Sequence, residues 1–263
     1  MIQTNFEHLL FEVDEAGIAT ITVNRETKLN ALNFQVLNEL EEAFMAVRQK
    51  ADVKGALLKG AGTKAFVAGA DIAELSDLNE FRGAAASERG QEIFSYIEST
   101  PKPVIAVIEG YCLGGGCELA MACHLRVAAQ NAVFGLPEVT LGLIPGYGGT
   151  QRLSRLVGRS RAMEMILTGN HYKADIAVAF GLVNSMSATG EAYNDARKMM
   201  MTILSRAPKA VSAAIKAIKA SETGVREGLT AEADLFGQLC GSQDFREGIN
   251  AFIEKRRPVF TGS

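Results

Sequence analysis

An α/β architecture is the fold class that three features of the sequence predict. Short β-branched runs alternate with amphipathic helical stretches, glycine clusters sit where the runs end, and the final stretch reads as helix almost throughout. At 263 residues the chain is long enough for one substantial core, or a core with a smaller appendage. The division expected is a β/α core over residues 1–190 followed by a helical region over 191–263.

The elements follow in order. HLLFEV, DEAG and IATITV read as a hairpin with Gly17 at its turn. Apolar residues at 34, 37, 40, 44 and 47 have helical spacing. VKGALLKGAG reads as a buried strand leaving into a glycine loop, and an Ala-rich helical region over residues 77–98 stops at the prolines of TPKP. VIAVIEG is nearly all apolar, as a strand covered on both faces should be, and LRVAA is a further strand of this kind. PEVTLGLIPGYGG breaks the regularity. TQRLSRLVG, SRAMEMILTG and ADIAVAFGLV are short helical segments running into glycine, and residues 191–252 are helical almost without interruption.

Charge and composition exclude some functions. A net charge of −3 offers no general attraction for polyphosphate, which argues against nucleic acid as the main ligand. No segment approaches the roughly 18 consecutive apolar residues of a membrane helix, so no membrane association is expected. The stretch MIQTNFEHLLFEVDEAG carries acids where a secretory leader is basic, and the expected location is the cytoplasm. Cys112, Cys117, Cys123 and Cys240, with His8, His124 and His171, form neither a C-x-x-C pair nor a zinc-type spacing. The cysteines read as reduced core residues, and no metal is expected.

CLGGGCELAM joins a strand to a helix through three consecutive glycines. Such a junction gathers free backbone N–H groups and the positive end of a helix dipole, and it lets an oxygen approach the amide of Gly115 closely. A tight turn with close helix packing explains the glycines equally well. The run lacks G-x-G-x-x-G and no GKS or GKT occurs, so neither a dinucleotide fold nor a phosphate loop is indicated. The loop AFVAGADI could present the amide of Ala70 to the same place. Two amides aimed at one oxygen would form an oxyanion hole, each donor being worth roughly 3 to 4 kcal/mol. Glu118 falls in the first helical turn, where a carboxylate is also ordinary decoration. Glu138 follows Pro137 in apolar surroundings, where an acid needs a partner or a task.

The stretches VNRETKLNAL, KAFVAGADIAEL, KPVIAVIEGYCLGGGCELAMACHLRVA, FGLPEVTLGLIPGYGGTQRL and FIEKR, in this order and spacing, resemble the crotonase (enoyl-CoA hydratase/isomerase) superfamily over residues 8–258. The resemblance implies a spiral of ββα units with a C-terminal helical region that organises trimers, commonly paired into hexamers. It implies an acyl-CoA ligand whose thioester oxygen lies between the amides of Ala70 and Gly115. Both acids of the hydratase branch are present, as Glu118 and Glu138, whereas the simple isomerases typically keep only the second. The implied reaction is reversible addition of water to a trans-2-enoyl-CoA, with a short-chain, crotonyl-type substrate expected. Coenzyme A enters with the substrate, and no other cofactor is required. By the same resemblance Ala68 offers its backbone to the CoA adenine, Asp71 and Ile72 line that loop, and Lys64 lies near CoA phosphate. Phe252 and Lys255 fall where relatives reach toward the CoA of a neighbouring subunit. Glu26 and Ala73 depart from common patterns, the first often being Pro and the second basic in some hydratases. The acyl pocket is expected to use residues 75–90 and the surroundings of Tyr147. Competing readings are an isomerase, an acyl-CoA- or RNA-binding module, and a thiol enzyme based on Cys117.

Overall fold

The chain begins with the expected hairpin. Strands β1 (Leu9–Val13) and β2 (Ile18–Val23) pair antiparallel, and the Asp14 carboxylate accepts from the N–H groups of Ala16 and Ile18 to close the turn. Helix α1 (Phe34–Gln49) starts at Asn33, whose side chain accepts from Val36 N–H at 2.8 Å. Its inner face buries Val36, Leu37, Leu40, Phe44 and Val47, while Phe34, counted in the apolar stripe, lies exposed at the first turn. Truncating a side chain as enclosed as Phe44 to alanine should cost about 3 to 5 kcal/mol. This is a computed structural model, and it describes residues 6–263. The first five residues of the N-terminal stretch read above for a leader lie outside the described residues.

A repeated unit follows. Strands β3 (Gly55–Gly60) and β4 (Ala65–Val67) lead into helices α2 (Ile72–Ser76) and α3 (Glu80–Glu98). Strands β5 (Val104–Ile108) and β6 (Tyr111–Leu113) lead into α4 (Gly115–Ala122). Strands β7 (Leu125–Ala129) and β8 (Val133–Gly135) lead through a 3-10 turn (Glu138–Leu141) to α5 (Gly149–Val157) and α6 (Arg159–Thr168). This is the ββα spiral the resemblance implied. The helical region read over 77–98 is α3, which starts at Glu80 because Asn79 caps it by accepting from Arg82 N–H.

The first strand of each unit joins a large sheet and the second joins a small one. With β9 (Tyr172–Lys173) after α6, α7 (Ala174–Ala179) and β10 (Ser185–Ser187), the sheet orders are β1-β2-β3-β5-β7-β10 and β4-β6-β8-β9. In β5, Val104, Ala106 and Ile108 face the main core beneath α1, α3 and α4. The alternate residues Ile105 and Val107 face a second core closed by Ala192, Ala196 and Met200 of helix α8 (Ala192–Leu204). That two-sided burial explains why this run is almost continuously apolar.

Helices α9 (Pro208–Ala220), α10 (Val225–Cys240) and α11 (Gln243–Ile253) complete the chain. Helix α8, the first of the expected helical region, covers the large sheet. One sequence expectation changes here. Cys112, Cys117 and Cys123 are core residues as expected, but Cys240, at the end of α10, is exposed.

Candidate active site

The small sheet explains why remote segments meet. Strands β4, β6 and β8 run parallel, with Val67 opposite Cys112 and Leu113 opposite Gly135. Parallel neighbours release their chain at the same edge, so Ala68–Ala70, Gly114–Gly115 and Pro137–Glu138 emerge side by side. The 68–72 loop is fixed from below, since Leu32 N–H donates to Gly69 C=O at 2.8 Å and Asp71 N–H donates to Leu32 C=O at 2.7 Å. Because Leu32 engages the residues on either side, the N–H of Ala70 turns outward and makes no hydrogen bond, and that of Gly115 is likewise unpaired. Helix α4 approaches β4 so closely that a Cβ on Gly116 would lie 2.1 Å from the Val67 carbonyl oxygen. The glycine run therefore serves both readings at once, close packing at Gly116 and an open amide at Gly115.

Glu118 is only 1% exposed, and its Oε1 accepts from Tyr147 N–H at 2.8 Å and Gly149 N–H at 2.7 Å. Burial, and then the neighbouring charge of Glu138, push its pKa up to about 7, against the pull of the two amides and Arg152. Glu138 is half-buried, burial raises its pKa, and its Oε2 has no partner. The two carboxyls titrate as a pair, and between their two transitions they hold one proton.

All four of these groups line one cavity of about 330 Å³, together with Ala68, Leu113 and Pro137. The remaining wall combines Leu75, Leu78, Gly83, Ala86 and Ser87 with Leu141, Leu143, Ile144 and Tyr147, the two regions expected from the sequence. An apolar cavity with a few convergent polar groups is the usual form of a small-molecule site. Ile72 stands exposed at its rim.

The other expected binding residues separate from the cavity. Asp71 is occupied otherwise: its carboxylate caps α2 through Ala73 N–H and pairs with Arg25 at 2.9 Å, which lowers its pKa. Lys64 is exposed just before β4. Phe252 is 84% exposed near the end of α11, Lys255 follows that helix, and neither lines the cavity of its own protomer. Cys117, the candidate thiol, is fully buried in the main core. Among the described residues no three of His, Cys, Asp or Glu gather as a metal set. The sequence reading missed the two amides that hold Glu118, which follow it by 29 and 31 residues; only the irregular GYGG run marked their place.

The family model described as enoyl-CoA hydratase/isomerase matches residues 13–263. The chain belongs to this family. Among enoyl-CoA hydratase/isomerase relatives, it is 42% identical to a short-chain-enoyl-CoA hydratase of Clostridium acetobutylicum, over 92% of this chain and 94% of that protein. It is 41% identical to a crotonyl-CoA hydratase of Syntrophomonas wolfei, over 97% and 98% of the two chains. The crystal structure of an enoyl-CoA hydratase from Bacillus anthracis superposes with a TM-score of 0.93 at 37% identity, covering 98% of this chain and all of that one. The family's crotonase fold is thus the fold of this chain.

Proposed function

We propose that this chain is an enoyl-CoA hydratase, a hydro-lyase that adds water reversibly to a trans-2-enoyl-CoA to give the 3-hydroxyacyl-CoA. The observation that carries the reading is one cavity lined by two unbonded amides and two carboxyls of raised pKa. In the proposed chemistry the thioester oxygen accepts from Ala70 and Gly115 N–H, which stabilise the enolate charge that develops there. Of the two one-proton arrangements, the raised pKa of Glu118 reflects the one with Glu138 charged. Hydration starts from the other, in which ionised Glu118 orients a water and takes its proton as the oxygen attacks C3. Glu138, protonated, delivers its proton to C2. Hydration moves the shared proton from Glu138 to Glu118, and dehydration starts from that second arrangement.

The modest cavity and the names of the short-chain and crotonyl relatives support a short acyl group. For the coenzyme portion we assign the Ala68 backbone to the adenine, with Lys64 near phosphate and Ile72 at the rim. Asp71 supports this loop through Arg25. Phe252 and Lys255 are assigned to the CoA of a neighbouring protomer, in a trimer or a dimer of trimers. The exposed Ile218, Leu229 and Phe236 on α9 and α10 support such an assembly. No described helix is long and apolar enough to cross a membrane, and the location proposed is the cytoplasm. No cofactor beyond the substrate's own coenzyme A enters this scheme.

Purified protein with crotonyl-CoA should abolish the absorbance of the conjugated thioester. No loss with short, medium and long enoyl chains overturns the reading. A Glu118→Gln protein that still shifts a double bond would mark an isomerase instead.

A further inference from the structure

Glu118 depends on two amides, and a buried cation holds the peptide that lies between the two that donate them. Arg152 of α5, only 7% exposed, donates from Nη1 to the Tyr147 carbonyl at 2.8 Å. Its Nε and Nη2 reach Glu98 Oε2 of α3 at 3.2 and 3.0 Å, and Nη2 reaches Ser95 Oγ at 3.3 Å. Glu98 also meets Lys219 of α9 at 3.5 Å, and burial notwithstanding, these two cations keep its pKa low. A chain of contacts therefore runs from α9 through Lys219, Glu98 and Arg152 to the Tyr147–Gly148 peptide, whose two flanking peptides donate to Glu118.

The GYGG run is shaped for this chain. Gly148 has φ +97, and a Cβ there would stand 2.4 Å from Arg152 Nη1. A Cβ on Gly149 would stand 2.8 Å from Glu118 Oε1. One glycine admits the guanidinium and the next admits the carboxylate. We propose that Arg152 is a positioning residue for Glu118, acting through the Tyr147–Gly148 peptide that joins its two amide donors, and that Glu98 and Lys219 seat it, so that the docking of α9 reaches the catalytic pair. The inference rests on the hydratase reading for the role of Glu118, and on the contacts alone for the coupling.

Removing the guanidinium frees the Tyr147 carbonyl, leaves Glu98 with only its longer contact to Lys219, and withdraws a cation that favours ionised Glu118. The charged and titratable groups facing this chain are few. Glu138 and the Tyr147 phenol face Glu118, and the phenol pKa is pushed up to about 12 by burial, Glu118 and Glu74. Arg152 adjoins Cys123, while Glu98 adjoins Arg126 and His124, whose pKa burial lowers.

The test uses the full chain and four variants: Arg152→Gln, Arg152→Lys, Glu98→Gln and Lys219→Met. Arg152→Gln should lower kcat for crotonyl-CoA hydration about 100-fold, the scale of a misplacement near one ångström. KM should stay within about threefold, because an interaction used in the transition state is lost. The pH transition of Glu118 should move upward, Arg152→Lys should recover part of kcat, and Lys219→Met should lose about twofold with a shift in the same direction. A folded Arg152→Gln protein with wild-type kcat and an unmoved transition overturns the proposal, as does a loss confined to KM. If Arg152→Gln does not fold, Glu98→Gln and Lys219→Met decide on the same readouts. The infrared band of the protonated buried carboxyl, identified by its loss in Glu118→Gln, gives a reading independent of turnover. It should titrate at higher pH in Arg152→Gln even if the wild-type protein fails to hydrate any enoyl-CoA. Failure of turnover with that shift present sinks the hydratase reading alone, while an unshifted band sinks the coupling.

Discussion

The two carboxyls stand on regions built in opposite ways. Helix α4, which carries Glu118, is buried along its whole length, and that carboxylate already has two amide donors. The 3-10 turn that carries Glu138 has no fully buried residue, and one oxygen of its carboxyl has no partner. A group with one oxygen held by two main-chain amides is oriented before substrate arrives, which suits the placement of water. A half-buried carboxyl in the cavity wall, with no such donors fixing it, can exchange a proton with what enters. On the proposed chemistry the difference between the regions is a division of labour between a fixed acceptor and a less constrained donor.

The largest expected effect removes either carboxyl. Glu118→Gln and Glu138→Gln should each lower kcat for hydration by about 10²- to 10⁴-fold, the range of a general acid or base. The double variant should fall little further than the worse single one, because groups that act as a unit are not additive. A Glu138→Gln protein within tenfold of wild type would break the comparison, since the open carboxyl would then carry no proton.

Gly114 lies where the two regions touch. Its φ of 49° and ψ of −125° belong to glycine, and an added Cβ would stand 2.9 Å from Glu138 Oε1. Gly114→Ala should therefore strain the turn by about 1 to 3 kcal/mol. Displacing Glu138 in the same step should lower kcat by about 10- to 100-fold. A variant with the expected drop in melting temperature and an undiminished kcat would separate the fold from the placement of the acid.

How far the sequence discloses this site follows the same contrast. The long apolar runs of β3, β5 and β7 and the spacing in α1 are legible because burial on a repeating geometry leaves a repeating pattern. The small sheet is not, since β4, β6 and β8 are three residues each and too short to display a period. Yet that sheet brings Ala70, Gly115 and Glu138 together. The anchors of Glu118 are main-chain groups of Tyr147 and Gly149, and a peptide N–H has no residue letter by which to find it. The same holds for α8, whose apolar face reads as helix but whose partner, the far side of the large sheet, is a tertiary choice.

The comparison also has a thermodynamic edge. In the unfolded chain Glu118 ionises near the ordinary value of 4.5, and in the folded chain at about 7. Between those values the unfolded state has lost the proton while the folded state keeps it, so stability falls as pH rises through the window and levels off above it. At roughly 1.4 kcal/mol per unit the whole effect is about 3 kcal/mol. Denaturant unfolding of Glu118→Gln and wild type should therefore agree best near pH 4.5 and diverge toward pH 7, with the variant the more stable. Glu138→Gln should show the same sign and a smaller gain, because its raised pKa comes with less burial. A Glu118→Gln curve parallel to wild type would mean that the two amides already offset the cost of burying the charge.

The smallest expected effect concerns the neighbour of Glu118. Cys117 is fully enclosed in the main core, with Cys112 beside it, on the side of α4 away from the cavity. A thiol enzyme needs an accessible thiolate and a base, and burial in apolar surroundings withholds both. Cys117→Ala should leave kcat within about twofold and lower stability by about 1 kcal/mol, as the loss of one small buried group does. Alkylating reagents under native conditions should modify the exposed Cys240 without loss of turnover. Inactivation that Cys117→Ala prevents and Cys240→Ala does not would move the chemistry from the carboxyls to the thiol. One turn of helix would then have been read from the wrong face.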